Sequence, residues 1–222
     1  KGHYASHVDL LKGTIDRLFY KPDHPGTMAY IEKYIRELDE SYAMMKHLLL
    51  NPEEHGILDL LALGRQAVFY PLLIKTHKMD DSTDKKQFLR VVRLMEIISF
   101  RVWGVLRRRS NAGQDRLFAL ARDFKGDFNG LLGSLKAFVT EYANDGGFRN
   151  RLLDPYLYNN MGGNDLRYLY WKYENYLRSS ESPYAAAMSL AEFVANTPKT
   201  RLSIEHIYPQ NPKQVHVVED QS

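Results

Sequence analysis

TDKKQFLRVVRLMEIISFRVWGVLRRR, residues 83–109, is the stretch on which the fold class turns. Phe88, Val91, Val92, Met95, Ile98, Val102 and Val105 recur at three- and four-residue steps, the period of one helical face and not the alternation of a strand. The polar run from Met79 to Asp84 supplies several possible caps, so the pattern predicts a long helix from Thr83 to about Arg109, suited to burial. Its cations collect at the ends, with Lys85, Lys86, Arg90 and Arg93 near the start and Arg107, Arg108 and Arg109 at the finish; Glu96 is its one glutamate. Such a helix can lie along a phosphate backbone, which makes Lys85, Lys86, Arg90, Arg107, Arg108 and Arg109 candidate DNA-binding residues. The alternative is a solvated face whose last arginines complement the helix dipole. Arg101 falls close to the apolar stripe and is expected to pair internally with an acid.

Helical periodicity continues on both sides, and no stretch before residue 200 reads as an alternating strand. Thr27 is a possible cap for a helix to about Leu50, with Tyr30, Ile31, Tyr34, Ile35, Leu38, Tyr42 and Met45 on one apolar stripe. A block over residues 57–78 contains Pro71, which should break or kink it just before that point. After the Asn111-Ala112-Gly113 punctuation, two helices are expected over 115–124 and 127–142, separated by Lys125-Gly126. An amphipathic piece follows at 148–153. Met161-Gly162-Gly163 reads as a hinge, and Asn164 as the cap of a Tyr/Trp-rich helix to about Ser179. A loop over 180–183 and a short helix over 185–195 complete the series. The expectation is an all-α bundle of roughly eight to ten helices over residues 1–198.

In the Tyr/Trp-rich helix, Leu166, Leu169, Tyr173 and Tyr176 fall at helical spacing and predict a core face, with Trp171 covering a neighbouring helix. Aromatics interleaved with Arg167, Lys172 and Arg178 could instead stack on exposed bases. Glu174 is read as a partner for a basic side chain.

Composition narrows the class. The 222 residues are 44% hydrophobic and 26% charged, ordinary for a water-soluble globular chain. No run of about 18 apolar residues and no secretory leader pattern occurs, which fits a cytoplasmic protein without a membrane partner. The absence of cysteine excludes disulfides, thiolate metal sites and a Cys nucleophile. A formal charge of +3 is only mildly basic, so a nucleic-acid signal has to come from local clusters. No Walker-type loop or GxGxxG fingerprint is present. His3, His7, His24, His47, His55 and His77 show no spacing that suggests a shared metal; His3 and His7, four apart, could share one only if helical.

SIEHIYPQNP, residues 203–212, carries the chemistry. An acid directly before a histidine, set among strand-type apolar residues and closed by proline, resembles the opening segment of the His-Me finger (HNH) nuclease motif, a ββα-metal unit. Phosphodiester hydrolysis needs a nucleophile deprotonated near neutral pH and a cation on the leaving oxygen. The resemblance implies His206 as general base and Glu205 as metal ligand or as a group orienting the site; a solvated strand carboxylate is the alternative for Glu205. Gln210 and Asn211 match the motif, or form the turn that Pro209 and Pro212 frame.

Together with DLRYLYWKYENYLR (residues 165–178) and its W-x-x-E-x-x-L pattern, this wording is similar to the C-terminal half of GmrSD-type modification-dependent, type IV-like restriction endonucleases. There a nucleotide-hydrolysing domain with a DGQQR-like motif precedes a helical region and an HNH domain of the "IEHI-PQN" kind. The likeness covers residues 56–212; the DGQQR-like and later "GNLTL" segments have no counterpart here. It implies residues 199–222 as the first part of an incomplete nuclease motif, inactive alone, with Mg²⁺ or another divalent ion as cofactor. Implied partners are DNA, modified in that family, and the nucleotide-hydrolysing domain in the same or a partner chain; a homo-oligomer stays open. The rival reading is a non-catalytic helical interaction module that binds a protein partner through its tyrosines.

Overall fold

All seven apolar positions expected to share a face of residues 83–109 are buried in the computed structural model, which describes residues 7–18, 25–52, 54–181 and 188–189. Its elements are α1 (His7–Leu18), α2 (Pro25–Leu50), α3 (Leu58–Ala62), a 3-10 turn (Gln66–Phe69), α4 (Tyr70–Met79), α5 (Lys86–Ile98), a π segment (Ser99–Val105), α6 (Gln114–Asp123), α7 (Phe128–Ala143), α8 (Asp145–Leu152), α9 (Leu157–Asn160) and α10 (Gly163–Glu181). Among the described residues there is no strand, and the fold is all-α. The expected helix over 185–195 and the expected strand after residue 199 lie outside the described residues, apart from Met188 and Ser189.

α5 occupies the middle, packed on α3, α4 and α7. Phe69, Leu72, Leu73, Phe88, Met95, Ile98, Leu117, Leu135 and Phe138 meet there with almost no exposure. Each such side chain contributes about 1.5–3 kcal/mol by leaving water, so this centre dominates stability. Two smaller clusters dock α10: Leu63 with Tyr168 and Trp171, and Val105 with Met161 and Leu166, while Phe100 packs against both.

The long helix departs from expectation at both ends. Asp80, 3% exposed, accepts from the Ser82 N–H and hydroxyl and from the Phe88 N–H at 2.8 Å, capping α5 from upstream. Burial pushes its carboxyl up, but hydrogen bonds from Ser82, Phe88 and Gln87 outweigh that and hold it below the ordinary value. Beyond Ile98 the chain stays helical but widens: the Leu106 N–H reaches back to the Arg101 carbonyl at 3.0 Å, a five-residue step. The wider turn lets four consecutive residues, Val102 to Val105, be buried together. A Cβ on Gly104 would stand 2.7 Å from Asp165 Oδ1, so glycine is what allows α10 to approach.

Other boundaries shift for local reasons. α2 begins at Pro25, placing proline at the first helical position and putting Thr27, buried, inside the first turn and not at the cap. The break in residues 57–78 comes before Pro71: α3 stops at Ala62, Gly64 takes φ +72°, and Pro71 sits in the first turn of α4, where its missing N–H has no cost. α10 starts at Gly163, so Asn164 is a first-turn residue and no cap. Asp127 and Asn144 cap α7 and α8 through the N–H groups of Gly130 (3.0 Å) and Gly147 (2.8 Å).

Candidate nucleic-acid interface

The six basic candidates fall into two groups at opposite ends of α5 and the π segment, roughly 30 Å apart at 1.5 Å per residue. Near the start, Lys86 is exposed and pairs with Asp84 at 2.8 Å, and Arg90 is exposed and donates to Gln87 at 2.9 Å. Lys85 differs. It adopts φ +49° at the N-cap, and its ammonium donates to the carbonyls of His77 and Asp80, closing the C-terminus of α4. At the far end Arg107, Arg108 and Arg109 are exposed on the loop that follows the π segment, with Arg107 at φ +49°. They lie past the last helical turn, and Arg108 Nε donates to the Tyr142 carbonyl at 3.2 Å. Lys86, Arg90 and the three arginines thus present charge to solvent, with Lys85 holding the turn between α4 and α5.

Arg101 pairs with Asp145 at 2.6 Å and lies over the Phe148 ring at 4.3 Å, while Glu174 accepts from Arg178 at 2.8 Å, as the sequence suggested for each. The aromatic helix buries the first half of the expected face, Leu166 with Leu169 packed beside it, and Trp171 covers a neighbouring element, but the second half of that face meets water. Tyr168 and Trp171 are buried, but Tyr173 and Tyr176 are 56% and 64% exposed and stack on each other with centroids 6.4 Å apart. The buried face runs through Asp165, Tyr168 and Trp171 because polar partners wait there. Trp171 Nε1 donates to the Met188 carbonyl at 2.8 Å, and the Tyr168 hydroxyl donates to Glu96. Burial first, and the Glu96 carboxylate second, push the Tyr168 phenol up.

Two polar clusters were invisible in the spacing. Glu96, 4% exposed, accepts both contacts from Arg93 Nη1 at 2.9 Å and faces Lys172 Nζ at 3.0 Å, which also reaches Asp59 at 2.9 Å. Every one of these charged groups is paired, so the network acts as a clamp joining α3, α5 and α10. The second is a row of rings: His47 and His55 have centroids 4.5 Å apart, His55 and His77 5.2 Å, and His77 meets Phe88 edge-on at 5.0 Å. His55 Nε2 and His77 Nδ1 have no hydrogen-bond partner. Burial, then the His47 imidazole, pulls the His55 value down; for His77 burial is followed by Lys85, His55 and His47, with Asp80 opposing.

Among the described residues no group of three or more His, Asp or Glu side chains is placed to hold a metal. Glu205 and His206, with Pro209, Gln210, Asn211 and Pro212, lie outside the described residues, as do His3 and His24. No helix among the described residues is long and apolar enough to cross a membrane. No protein-family model, curated protein or solved structure matches the chain.

Proposed function

We propose that the chain is the helical region and nuclease opening of a GmrSD-like restriction endonuclease that hydrolyses DNA. The single observation that carries this reading is the SIEHIYPQNP wording at residues 203–212 following an all-helical domain. In it His206 takes the proton of the attacking water, and Glu205 contributes to the site of a divalent ion such as Mg²⁺, whose chemistry is charge neutralisation on the leaving oxygen. Lys86 and Arg90 at one end of α5, and Arg107, Arg108 and Arg109 beyond the other, offer DNA two cationic holds. At about 3.4 Å of duplex axis per phosphate of one strand, a 30 Å separation along that axis corresponds to roughly nine base pairs.

In the full-length protein, His206→Ala is expected to lower DNA cleavage by about 10⁴-fold, the upper end for loss of a general base, with folding and DNA binding unchanged. Normal cleavage by a folded His206→Ala protein, measured on plasmid with Mg²⁺, would sink the assignment. A second reading, a non-catalytic module that binds a protein partner, draws on the exposed Tyr173–Tyr176 stack and the exposed Ile35, Leu38 and Tyr42. It becomes the better one in that event.

A further inference from the structure

Met28, Ile31, Ile35, Leu38, Tyr42, Met45 and Leu49 follow one another along α2 in alternating steps of three and four residues, a heptad seam sustained over three repeats. The seam is not what holds α2 to the body. That attachment runs through Glu40, Met44, His47 and Leu48, on the opposite edge of the helix. Met28, Ile35, Leu38 and Tyr42 are between 58% and 63% exposed, and Ile31, Met45 and Leu49 are half-buried. The helix therefore carries a second apolar edge beyond the one its own fold uses. A spacing of 3.5 residues suits another helix lying alongside it, because strands and flat surfaces impose no such period.

Charge says which helix. On the solvent flank of the seam stand Glu32, Asp39 and Lys46, seven residues apart, with Arg36 behind them. Lys33 pairs with Glu37 and Glu40 with Lys78, whereas among the described residues Glu32, Asp39 and Lys46 enter no salt bridge. A second α2 can be laid antiparallel so that Leu38 meets the partner's Tyr42, Ile35 meets the partner's Met45 and Ile31 meets the partner's Leu49. In that register Glu32 falls opposite the partner's Lys46, once on each side of the two-fold axis. Asp39 meets its own copy at the axis, with Arg36 of each chain one turn away to offset the repulsion. A parallel pair instead sets each of Glu32, Asp39 and Lys46 beside an uncharged residue of the other helix, Thr27, Tyr34 and Ser41.

We propose that α2 is a self-association surface on which two copies of this chain pair antiparallel through the Met28–Leu49 seam. The pairing is independent of the nuclease reading. One helix edge per chain makes a small interface, so a dissociation constant of about 10 µM or weaker is expected. At about 1 µM most chains are single, and the seam of each meets water.

Sedimentation velocity on the full chain, from about 1 µM to about 200 µM, is expected to show monomer giving way to dimer. Leu38→Glu, at a site 58% exposed, is expected to keep the helical circular dichroism and to weaken the dimer at least about tenfold. Lys46→Glu sets like charges across the pair and is expected to weaken it about fivefold, and adding Glu32→Lys to it restores the affinity. Because the chain has no cysteine, one introduced thiol reports direction. Asp39→Cys, close to the axis, is expected to cross-link to its copy with a short bismaleimide, while Met28→Cys, about 36 Å from its copy in this register, does not. Monomer at every concentration overturns the proposal: slow labelling of the Met28→Cys thiol then gives the seam to another segment of this chain, and fast labelling leaves it to a different protein. A dimer indifferent to Leu38→Glu lies on another surface, and cross-linking through Met28→Cys makes the pair parallel; each overturns the proposal as well.

Discussion

In α5, Phe88, Val91, Met95 and Ile98 are 0% exposed, whereas in α2 Ile35, Leu38 and Tyr42, set at the same helical spacing, are 59%, 58% and 62% exposed. The two stripes are indistinguishable as patterns. They differ in company: α5 is enclosed by α3, α4 and α7, while α2 packs chiefly on α4. What attaches α2 to the body is concentrated toward its second half: Met44 and Leu48 against the core, Glu40 bonded to Lys78 at 2.6 Å, and His47 against His55. Periodicity therefore reports that a helix has two faces, and the number of neighbours decides how much of the apolar face is used.

The strongest test of that contrast is Phe88→Ala. Removing a ring from the centre of the main cluster is expected to cost about 3–5 kcal/mol in urea unfolding at neutral pH, through lost transfer energy and the cavity left behind. A cost below about 1 kcal/mol would show that α5 is not the centre of stability.

A smaller and more local effect is expected from acid. His55 and His77 titrate below the ordinary histidine value in the folded chain, so the unfolded chain binds protons first as pH falls. Their contribution is fully present above about pH 6.5 and is lost as pH drops through the lower folded values. The row faces Lys85, Glu54 and Asp80 as well as His47, and of these Glu54 and Asp80 temper the effect. Because His47 belongs to α2, hydrogen-exchange protection, taken relative to the intrinsic rate at each pH, should fall between about pH 7 and pH 5 in the second half of α2 before it falls in α5. His77→Phe, which keeps a ring against Phe88, should flatten that dependence; an unchanged profile would assign it to other groups.

The smallest effect belongs to Leu38→Ala, expected within about 0.5 kcal/mol of the parent in the same urea assay because the side chain already meets water. A loss near that of Phe88→Ala would mean that the α2 stripe is covered in solution, and the contrast between the two helices would dissolve.

How legible the molecule was from its sequence follows the same division. Local rules placed the helices well: the stripe of α5, Gly113 before α6, Gly126 before α7 and the cap at Asp127 can each be read within a few residues. What escaped was set by distant partners. The close approach of Asp165 to Gly104 in the π segment joins positions far apart in the chain, and Tyr168 is buried where Glu96, seventy-two positions earlier, accepts its hydroxyl, while Tyr173 and Tyr176 of the expected face stay exposed. The candidate DNA contacts were visible as charge runs, yet nothing local announced that Lys85 would turn inward to the carbonyls of α4. The row of histidines joins a helix, a loop and a second helix, and no spacing rule spans that distance.

The ties that hold α10 also say something about the order of assembly. Arg65 with Asp165, Asp59 with Lys172 and Glu96 with Tyr168 connect positions 100, 113 and 72 residues apart. Each demands closure of a long loop before it returns any energy, whereas α4 to α7 can collapse on one another through shorter loops. Loop entropy thus makes α10 a late arrival on a preformed body and an early departure on unfolding. Among the described residues, α10 is then the kinetic weak point, whatever the depth of its final packing.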